Sequence, residues 1–340
     1  MSEFPLFDPP SPTPKPHTFP RKSTIPKYNP TRQSRNLGAV LGAAIGDAMG
    51  HPTEFIGSFT AIINRYGPQG VTRFEKYWER DGERFAPYTD DTQMAEVVLR
   101  TLVNGHDNLD ETMTRMAEGF VDWASAPQGG HRAPGNACMS GCRRLSHGIH
   151  WTEAGGETAG GCGSVMRSYP FGLVFADDLD KAEAWAVAHS KMTHRDPIAL
   201  AACAAMAIGM ARIIQKQEPM IVLSEMIAAA CRYSIRTADM MLRAMDEALS
   251  GVEPQVTLQR LEAWAAHEAI AAAVYLFARH PDDPTKAILE GANTPGDSDS
   301  IATLAGALTG ARCGIEAIPE AWVRDVERTA ELSELARRIG

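Results

Sequence analysis

Hydrophobic positions recur along most of the chain with the spacing of amphipathic helices. Runs rich in Val, Ile and Thr with strict alternation, which would indicate strands, are lacking. Asp196 followed by Pro197 is typical of an N-cap and a first helical residue. The pattern therefore predicts an all-α fold in a single compact globule. Helices are predicted near residues 109–125, 136–147, 179–192, 197–217, 220–232, 236–250, 258–279 and 319–338.

Four glycines spaced four residues apart open the folded body, which we expect to begin at Asn36. On a helix they would form one smooth face that lets another backbone approach closely. A membrane dimerisation motif has similar spacing, but the apolar run is short and ends at Asp47. We therefore predict tight packing inside a soluble core. These glycines are Gly38, Gly42, Gly46 and Gly50.

Residues 1–35 differ in composition from the rest of the chain. They hold nine of the 22 prolines, and six basic residues against two acidic ones give them a net charge of +4. So many prolines exclude helix and central strand and favour an extended N-terminal arm, followed by a domain at 36–340. A disordered tail is the simple interpretation, but a purely solvating tail would not require spaced apolar anchors. Those anchors are Phe4, Leu6, Phe7, Phe19, Ile25 and Tyr28.

Composition places the chain among ordinary globular proteins. The 340 residues are 44% hydrophobic and 22% charged, and no apolar run approaches the ~20 residues that span a bilayer. The first residues lack the apolar stretch of a signal peptide, and the six cysteines show no metal-binding or disulfide spacing. We therefore predict a soluble cytoplasmic protein with free thiols and no membrane partner. A formal net charge of −9 argues against nucleic acid as the main partner.

Two short acidic motifs stand where small-residue helices are predicted to begin. A helix N-terminus is capped well by Asp, Ser and Thr, so either motif alone has a simple interpretation as a cap. If the helices bring all four carboxylates together, the charges repel one another unless cations are bound. Carboxylate and hydroxyl oxygens suit Mg²⁺ or Mn²⁺, accept Ca²⁺ and fit zinc poorly. The motifs are Thr89-Asp90-Asp91-Thr92 and Asp297-Ser298-Asp299-Ser300.

Three further features are candidates for a ligand site. The glycine-rich run at residues 160–164 precedes an expected helix start at Val165, and its backbone N–H groups could hold a phosphate. It lacks the lysine of a P-loop and the strand of a dinucleotide fold, so alone it is a weak signal. Glu54 is a candidate additional carboxylate in the turn after the glycine helix. His194 is placed on a loop, where a single histidine is more often structural than functional.

Together these motifs resemble the ADP-ribosylglycohydrolase family, in the family's order, from about Gly38 to Gly314. The sequence departs from the family pattern where Pro295 replaces a glycine and where serines replace both threonines of the last motif. Cys162 stands where many relatives have asparagine. Serine keeps the hydroxyl group, so we expect metal binding to survive. The motifs that carry the resemblance are Gly42-Ala43-Ala44-Ile45-Gly46-Asp47-Ala48-Met49-Gly50 with Glu54, Thr89-Asp90-Asp91-Thr92, Gly161-Cys162-Gly163-Ser164-Val165-Met166-Arg167, Thr193-His194 and Gly296-Asp297-Ser298-Asp299-Ser300.

The resemblance implies an orthogonal α-helical globule with a dinuclear Mg²⁺ or Mn²⁺ centre. It implies that Glu54 aids or gates the attacking water, with Asp90 and Asp91 assisting through water held at the metal ions. The glycine loop would hold a diphosphate, and the histidine would contact the ligand or support the site. The implied substrate-binding residues are Gly161, Cys162, Gly163, Ser164 and His194. The implied metal ligands are Thr89, Asp90, Asp91, Asp297, Asp299 and Ser300.

The implied activity is removal of ADP-ribose from a modified protein side chain, with arginine the first expectation, by cleavage of the ribosyl C1–N bond. A dinuclear hydrolase of another ADP-ribose or phosphate compound, or a non-enzymatic binder on this scaffold, are the alternatives. For the arm at 1–35 there are two hypotheses. It binds the cleft of an ADP-ribosyltransferase toxin, as in an immunity protein, or it folds back onto the acidic body.

Overall fold

The computed structural model describes residues 29–340. Its first helix, α1 (Arg32–Gly50), begins four residues before the expected start at Asn36. The Thr31 hydroxyl caps this helix, since it accepts the Ser34 N–H at 3.1 Å. The last residues of the predicted arm at 1–35 therefore belong to the folded body. Residues 1–28, and with them the prediction of an extended arm, lie outside the described residues.

Helices make up most of the part of the chain that the structure describes, which confirms the predicted all-α fold. A small antiparallel hairpin pairs β1 (Trp78–Arg80) with β2 (Glu83–Phe85). Short 3₁₀ turns lie at His51–Thr53, Cys162–Ser164 and Ile315–Ala317. The helices after α1 are α2 Phe59–Tyr66, α3 Asp90–Val103, α4 Leu109–Ser125, α5 Asn136–Ser146, α6 Tyr169–Val174, α7 Leu179–Ser190, α8 Pro197–Ile214, α9 Pro219–Cys231, α10 Ile235–Leu249, α11 Pro254–Arg260, α12 Ala266–Arg279, α13 Pro284–Ala292, α14 Ser298–Cys313, α15 Glu320–Asp325 and α16 Thr329–Arg337.

Helices α1 and α14 pack at the centre of the fold with their backbones in direct contact. A methyl group added at Gly38, Gly42 or Gly46 would overlap backbone carbonyl groups of α14. At the end of α1, a methyl group on Gly50 would lie 2.5 Å from the Cα atom of Asp299. The prediction of close packing on the glycine face is confirmed. This contact also sets the C-terminal end of α1 beside the first turn of α14.

The predicted helix at 258–279 is wrong in one respect, because residues 261–265 divide it into α11 and α12. Ala263 has a φ of 65°, outside the helical region. In this break the Trp264 carbonyl accepts the Cys162 N–H at 3.2 Å, and the Ala266 N–H donates to the Gly160 carbonyl at 2.9 Å. Hydrogen bonds to a distant loop therefore replace helical ones here.

The predicted helix at 319–338 is also divided, between α15 and α16. Arg328 has a left-handed φ of 54°, and its guanidinium binds Glu96 of α3 at 2.6 Å. Its neighbour Glu327 binds the buried Arg132 at 2.6 Å. Arg132 in turn donates to the Tyr88 carbonyl, just before α3, at 2.6 Å. These ion pairs hold the break against the start of α3.

Several short elements were not predicted. Helices α2, α6 and α13 and the hairpin are each fewer than ten residues long, so they carry too few periodic positions to be recognised. The helix start expected at Val165 is wrong, because Val165 follows a 3₁₀ turn and α6 begins at Tyr169.

Helix α8 is the most apolar long helix among the described residues. Its 18 residues have a mean hydropathy of 1.9, so by length and composition it is long enough to cross a membrane. This corrects the expectation that no apolar run approaches that length. Because 78% of the helix is buried inside the fold, it has the position of a core helix. Cytoplasmic location stays a prediction.

Candidate metal centre and substrate pocket

The first acidic motif is held in place by a buried carboxylate of α1. Asp47 accepts hydrogen bonds from the Thr89 N–H at 2.8 Å, from the Thr92 N–H at 2.9 Å and from the Thr92 hydroxyl at 2.6 Å. Thr89 caps α3, and Asp90 and Asp91 form its first turn. The hydrogen bonds from Asp47 of α1 therefore fix the backbone that carries Asp90 and Asp91.

The second acidic motif is positioned by backbone contacts at the start of α14. The Asp297 N–H donates to the Glu262 carbonyl at 2.8 Å, and the preceding Gly296 has a φ of 93° that favours glycine. The Ser298 hydroxyl donates to the Gly50 carbonyl at 2.9 Å. The start of α14 is thus attached to the end of α1, with Asp299 in its first turn.

The structure brings the two acidic motifs together through Asp91 and Ser300, which are 209 residues apart in the sequence. The Ser300 hydroxyl donates to the Asp91 carboxylate at 2.9 Å. The Cys162 thiol donates to the Asp297 carboxylate at 2.7 Å and accepts from the Ser300 hydroxyl at 3.6 Å. Three of the predicted metal ligands, Asp91, Asp297 and Ser300, therefore form one cluster with Cys162 of the predicted substrate loop.

Glu54 lies against the second motif. The Phe55 N–H donates to the Gly296 carbonyl and the Gly296 N–H donates to the Ile56 carbonyl, both at 3.1 Å. This pairing turns the Glu54 carboxylate toward Asp299. The imidazole Nδ1 of His51 lies 3.1 Å from a carboxylate oxygen of Glu54 and 4.0 Å from one of Asp299. His51 was not among the residues predicted to form the site.

These groups open onto a cleft of about 260 Å³. Asp90 is 7% exposed, and its carboxylate makes no side-chain hydrogen bond to any residue at 29–340. The cleft contains every residue predicted to bind the substrate except Ser164. The residues that line it are Glu54, Phe55, Asp90, Asp91, Ala133, Gly135, Asn136, Ala137, Cys138, Gly161, Cys162, Gly163, Met166, His194, Trp264, Asp297, Asp299 and Ser300.

Burial and mutual repulsion disfavour the charged form of these carboxylates. Burial, reinforced by Asp299 and Asp297, raises the pKa of Glu54 to about 11. Burial and then Asp299 raise the pKa of Asp90 to about 8, and the same causes raise the pKa values of Asp91 and Asp297. Bound cations would reverse this repulsion. A set of carboxylate and hydroxyl oxygens fits Mg²⁺ or Mn²⁺.

A buried arginine organises the glycine-rich loop and the histidine loop. Arg167 donates to the Gly163 carbonyl at 2.5 Å and to the Thr193 hydroxyl at 2.8 Å, and its guanidinium lies over the Phe120 ring at 4.5 Å. The Thr193 hydroxyl lies 2.7 Å from Nδ1 of His194. Burial, reinforced by Arg167, lowers the pKa of His194 to about 3, so this imidazole is neutral.

Two of the predicted site residues do not line the cleft. Ser164 is fully buried, and its hydroxyl accepts from the Ser190 hydroxyl at 2.9 Å. The Thr89 hydroxyl accepts the Asp91 N–H at 3.3 Å as a helix cap. His194 lies on the predicted loop but is 2% exposed.

Some residues at the site were missed by sequence reasoning. Phe55 and Trp264 stack at the mouth of the cleft with ring centroids 5.3 Å apart, and both remain exposed. Nothing in the sequence connects these two residues. Asp47 could have been found, because a lone carboxylate in an otherwise apolar helix is a sign of a buried polar contact.

Comparisons with known proteins match most of the chain to one family. The family model described as ADP-ribosylglycohydrolase matches residues 28–340. The ADP-ribosyl-[dinitrogen reductase] glycohydrolase of Rhodospirillum rubrum is 27% identical over 91% of this chain and 96% of that protein. The ADP-ribosylarginine hydrolase Tri1 of Pseudomonas putida is 26% identical over 90% of this chain and 77% of that protein.

A solved structure shows a similar fold. The chain described as an ADP-ribosylglycohydrolase-related protein complex superposes with a TM-score of 0.69 at 23% identity. The match covers 91% of this chain and 97% of the other. The path of the helices is therefore shared.

Proposed function

The chain belongs to the ADP-ribosylglycohydrolase family, and on that premise we propose that it removes ADP-ribose from arginine side chains of modified proteins in a metal-dependent reaction. The family hydrolyses ADP-ribose from modified substrates. The observation that carries the proposal is the cleft in which the first turns of α3 and α14 meet Glu54. It joins several carboxylates from three separate parts of the chain.

The proposed metal centre holds two ions, Mg²⁺ or Mn²⁺. When bound, such ions position a ribose diol and lower the pKa of a water molecule. Asp90 supports this assignment, because it lines the cleft and its carboxylate makes no hydrogen bond to another described residue. The proposed ligands are Thr89, Asp90, Asp91, Asp297, Asp299 and Ser300.

Glu54 is the proposed acceptor of the proton of the attacking water. It lines the cleft beside Asp299, and His51 at 3.1 Å restricts the orientation of its carboxylate. Neutralisation of the neighbouring charges would return Glu54 to its ionised form, which can accept a proton. Asp90 and Asp91, which line the same cleft, assist.

The other side of the cleft is the proposed substrate-binding wall. Gly161 and Gly163 let the diphosphate approach the backbone, although the N–H group of Cys162 is already used by the Trp264 carbonyl. The exposed faces of Phe55 and Trp264 offer a stacking surface for the adenine ring. The neutral imidazole of His194 lies beside Gly161 and Gly163 in this wall.

Arginine is the proposed linkage for two reasons. Among the described residues, five acidic side chains and no lysine or arginine line the cleft, so it favours a guanidinium group. The Pseudomonas putida relative is named for ADP-ribosylarginine. A hydrolase of another ADP-ribose or phosphate compound, and a binder without activity, are the alternatives that an assay separates.

The assay uses full-length protein freed of metal by a chelator. We expect it to release ADP-ribose from an arginine-linked substrate, and not from serine- or cysteine-linked ones, only after Mg²⁺ or Mn²⁺ is restored. Release from a different linkage would replace arginine in the proposal. Release without any metal would overturn the metal dependence, and tight ADP-ribose binding without release from any linkage would favour the binder.

Substitution of Glu54 tests its role separately. Glu54→Gln should lower turnover by about a hundredfold to ten-thousandfold while ADP-ribose affinity changes little, because the proposed binding wall is intact. Glu118→Gln, on an exposed position of α4, is the control. Full turnover of Glu54→Gln would assign the proton transfer to a different carboxylate.

The toxin-binding arm remains a hypothesis, and the structure changes its test. Arg35 donates to the Ile213, Ala311 and Arg312 carbonyls, so a deletion that begins the chain at Asn36 would damage the fold itself. The matched deletion removes residues 1–28. It should retain hydrolysis and lose toxin affinity if the arm binds a toxin. Unchanged affinity with a melting temperature lowered by several degrees would show that the arm folds back instead.

A further inference from the structure

We propose that Cys162 and His51 each contribute a donor atom to the metal centre, so that this protein selects Co²⁺ and Zn²⁺ over Mg²⁺ more strongly than a centre of oxygen ligands would. This inference rests on the metal centre of the proposed function. The inference adds one sulfur ligand and one nitrogen ligand to that centre. Both atoms already lie among the carboxylates.

The sulfur atom belongs to a continuous set of donor atoms. Cys162 Sγ lies 2.7 Å from an oxygen of Asp297 and 3.6 Å from the Ser300 hydroxyl, which lies 2.9 Å from an oxygen of Asp91. Adjacent ligands of one cation have separations of this order, since each metal–ligand bond is about 2.0–2.3 Å long. All four residues line the cleft.

The nitrogen atom belongs to a second set. Donor atoms of His51, Glu54 and Asp299 all lie within 4.8 Å of one another. The His51 ring is packed on Tyr77 at a centroid distance of 5.8 Å and an angle of 25°, which restricts its rotation. Asp299 is in the first turn of α14, as Asp297 is at its cap, so the two sets share one helix start.

An independent observation indicates that a cation belongs here. Asp90 is 7% exposed, lines the same cleft and has no side-chain hydrogen bond to another described residue. A buried carboxylate without a partner is costly unless a cation binds it. Among residues 29–340 no lysine or arginine lines the cleft, and the buried Arg167 behind it donates to the Gly163 carbonyl and the Thr193 hydroxyl.

The two donors change which ions bind best. Thiolate sulfur favours zinc and iron, imidazole nitrogen suits zinc and other transition metals, and oxygen ligands suit Mg²⁺ and Mn²⁺. In the metal-free protein Cys162 is a thiol that donates to Asp297. When the sulfur binds an ion, its S–H bond breaks, the electron pair stays on sulfur and the proton passes to solvent.

The absorption spectrum of bound Co²⁺ tests whether the Cys162 sulfur is a ligand. Full-length metal-free protein titrated with Co²⁺ should develop a sulfur-to-cobalt charge-transfer absorption, which Cys162→Ser should lose. The ratio of Mg²⁺ to Co²⁺ dissociation constants, measured by calorimetry, should fall by at least about tenfold in that variant. Cys138→Ser is the matched control, because Cys138 lines the same cleft but contacts the Gly163 carbonyl and Arg167.

Manganese reports on the nitrogen. Pulsed electron paramagnetic resonance of the Mn²⁺-loaded protein should show a ¹⁴N coupling that is absent in His51→Gln. Circular dichroism and melting temperatures confirm that each variant is folded.

The outcomes separate this inference from the proposed function, since no substrate is present. Co²⁺ binding without the charge-transfer absorption would exclude Cys162 as a ligand, and an unchanged ¹⁴N coupling in His51→Gln would exclude His51. Failure of every tested divalent ion to bind would remove the metal centre and the inference with it. Loss of hydrolysis on every substrate, with the absorption retained, would overturn only the function.

Discussion

Asp47 and Asp90 are both buried carboxylates near the start of α3, but their surroundings differ. Asp47 accepts three hydrogen bonds from Thr89 and Thr92, so its polarity is satisfied inside the protein. Asp90 has no such partner among the described residues and faces the cleft. Removal of the Asp47 carboxylate should therefore lower the stability of the fold, whereas removal of the Asp90 carboxylate should weaken metal binding.

Asp90→Asn is expected to weaken Mg²⁺ and Mn²⁺ binding by more than about tenfold, because it takes one anionic ligand from a cluster that repels itself. Above about pH 8, where the parent carries a buried charge at Asp90, the melting temperature of the metal-free variant should be equal to or higher than that of the parent. Calorimetry and thermal unfolding measure the two effects. Asp110→Asn, in the exposed first turn of α4, is the control. Unchanged affinity for both ions would contradict the assignment of Asp90 as a ligand.

At the scale of elements, the position of the site depends on the contact between α1 and α14. Glycines on both helices allow the backbones to touch, and the end of α1 then meets the start of α14 at Gly50 and Asp299. Helix α1 also carries Asp47, whose hydrogen bonds fix the start of α3. One helix therefore aligns both acidic motifs.

Gly46→Ala tests this dependence. The added methyl group would meet the Ala302 carbonyl and the Thr303 nitrogen of α14, backbone atoms that cannot rotate away. We expect a loss of about 1–3 kcal/mol of unfolding free energy, together with weaker metal binding, because α14 must shift. Denaturant titration and calorimetry measure these quantities. Gly57→Ala, where the methyl group meets no atom of residues 29–340 within 4 Å, should behave as the parent protein. Equal stability of the two variants would show that the helix contact is adaptable.

At the scale of the whole molecule, the acidic site should make stability depend on pH. Burial and Asp299 raise the pKa of Asp47 to about 7 and that of Asp90 to about 8, above the usual aspartate value of 3.8. Between the unfolded pKa of 3.8 and the folded pKa values, both carboxyl groups are ionised in the unfolded chain but still protonated in the folded protein. The stabilisation is complete below the unfolded pKa and is lost as pH rises through the folded values.

The melting temperature of chelator-treated protein is therefore expected to fall as pH rises from about 4 to about 8. Protein saturated with Mg²⁺ or Mn²⁺ should show a flatter profile, because ions that bind the carboxylates stabilise their charged forms. The difference between the two curves should widen with pH. Parallel curves would indicate that these carboxylates do not hold the ions.

The residues that local rules govern were predicted well. The predicted segment 109–125 matches α4 at both ends, and Asp196 caps α8 as expected, because periodicity and capping depend on neighbours in the sequence. The small-residue face of α1 likewise follows from a spacing of four residues.

The sequence by itself determined the helical class, the smooth face of α1 and the acidic helix starts after Thr89 and at Asp297, since each follows from residues within a few positions of one another. Only the tertiary structure decided that α11 and α12 separate. The Trp264 carbonyl and the Ala266 N–H form hydrogen bonds with a loop about a hundred residues earlier in the chain, and these bonds outweigh local helix propensity. Tertiary structure likewise decided that His51 and its sequence neighbour Glu54 lie beside Asp299, as that proximity depends on how distant segments pack.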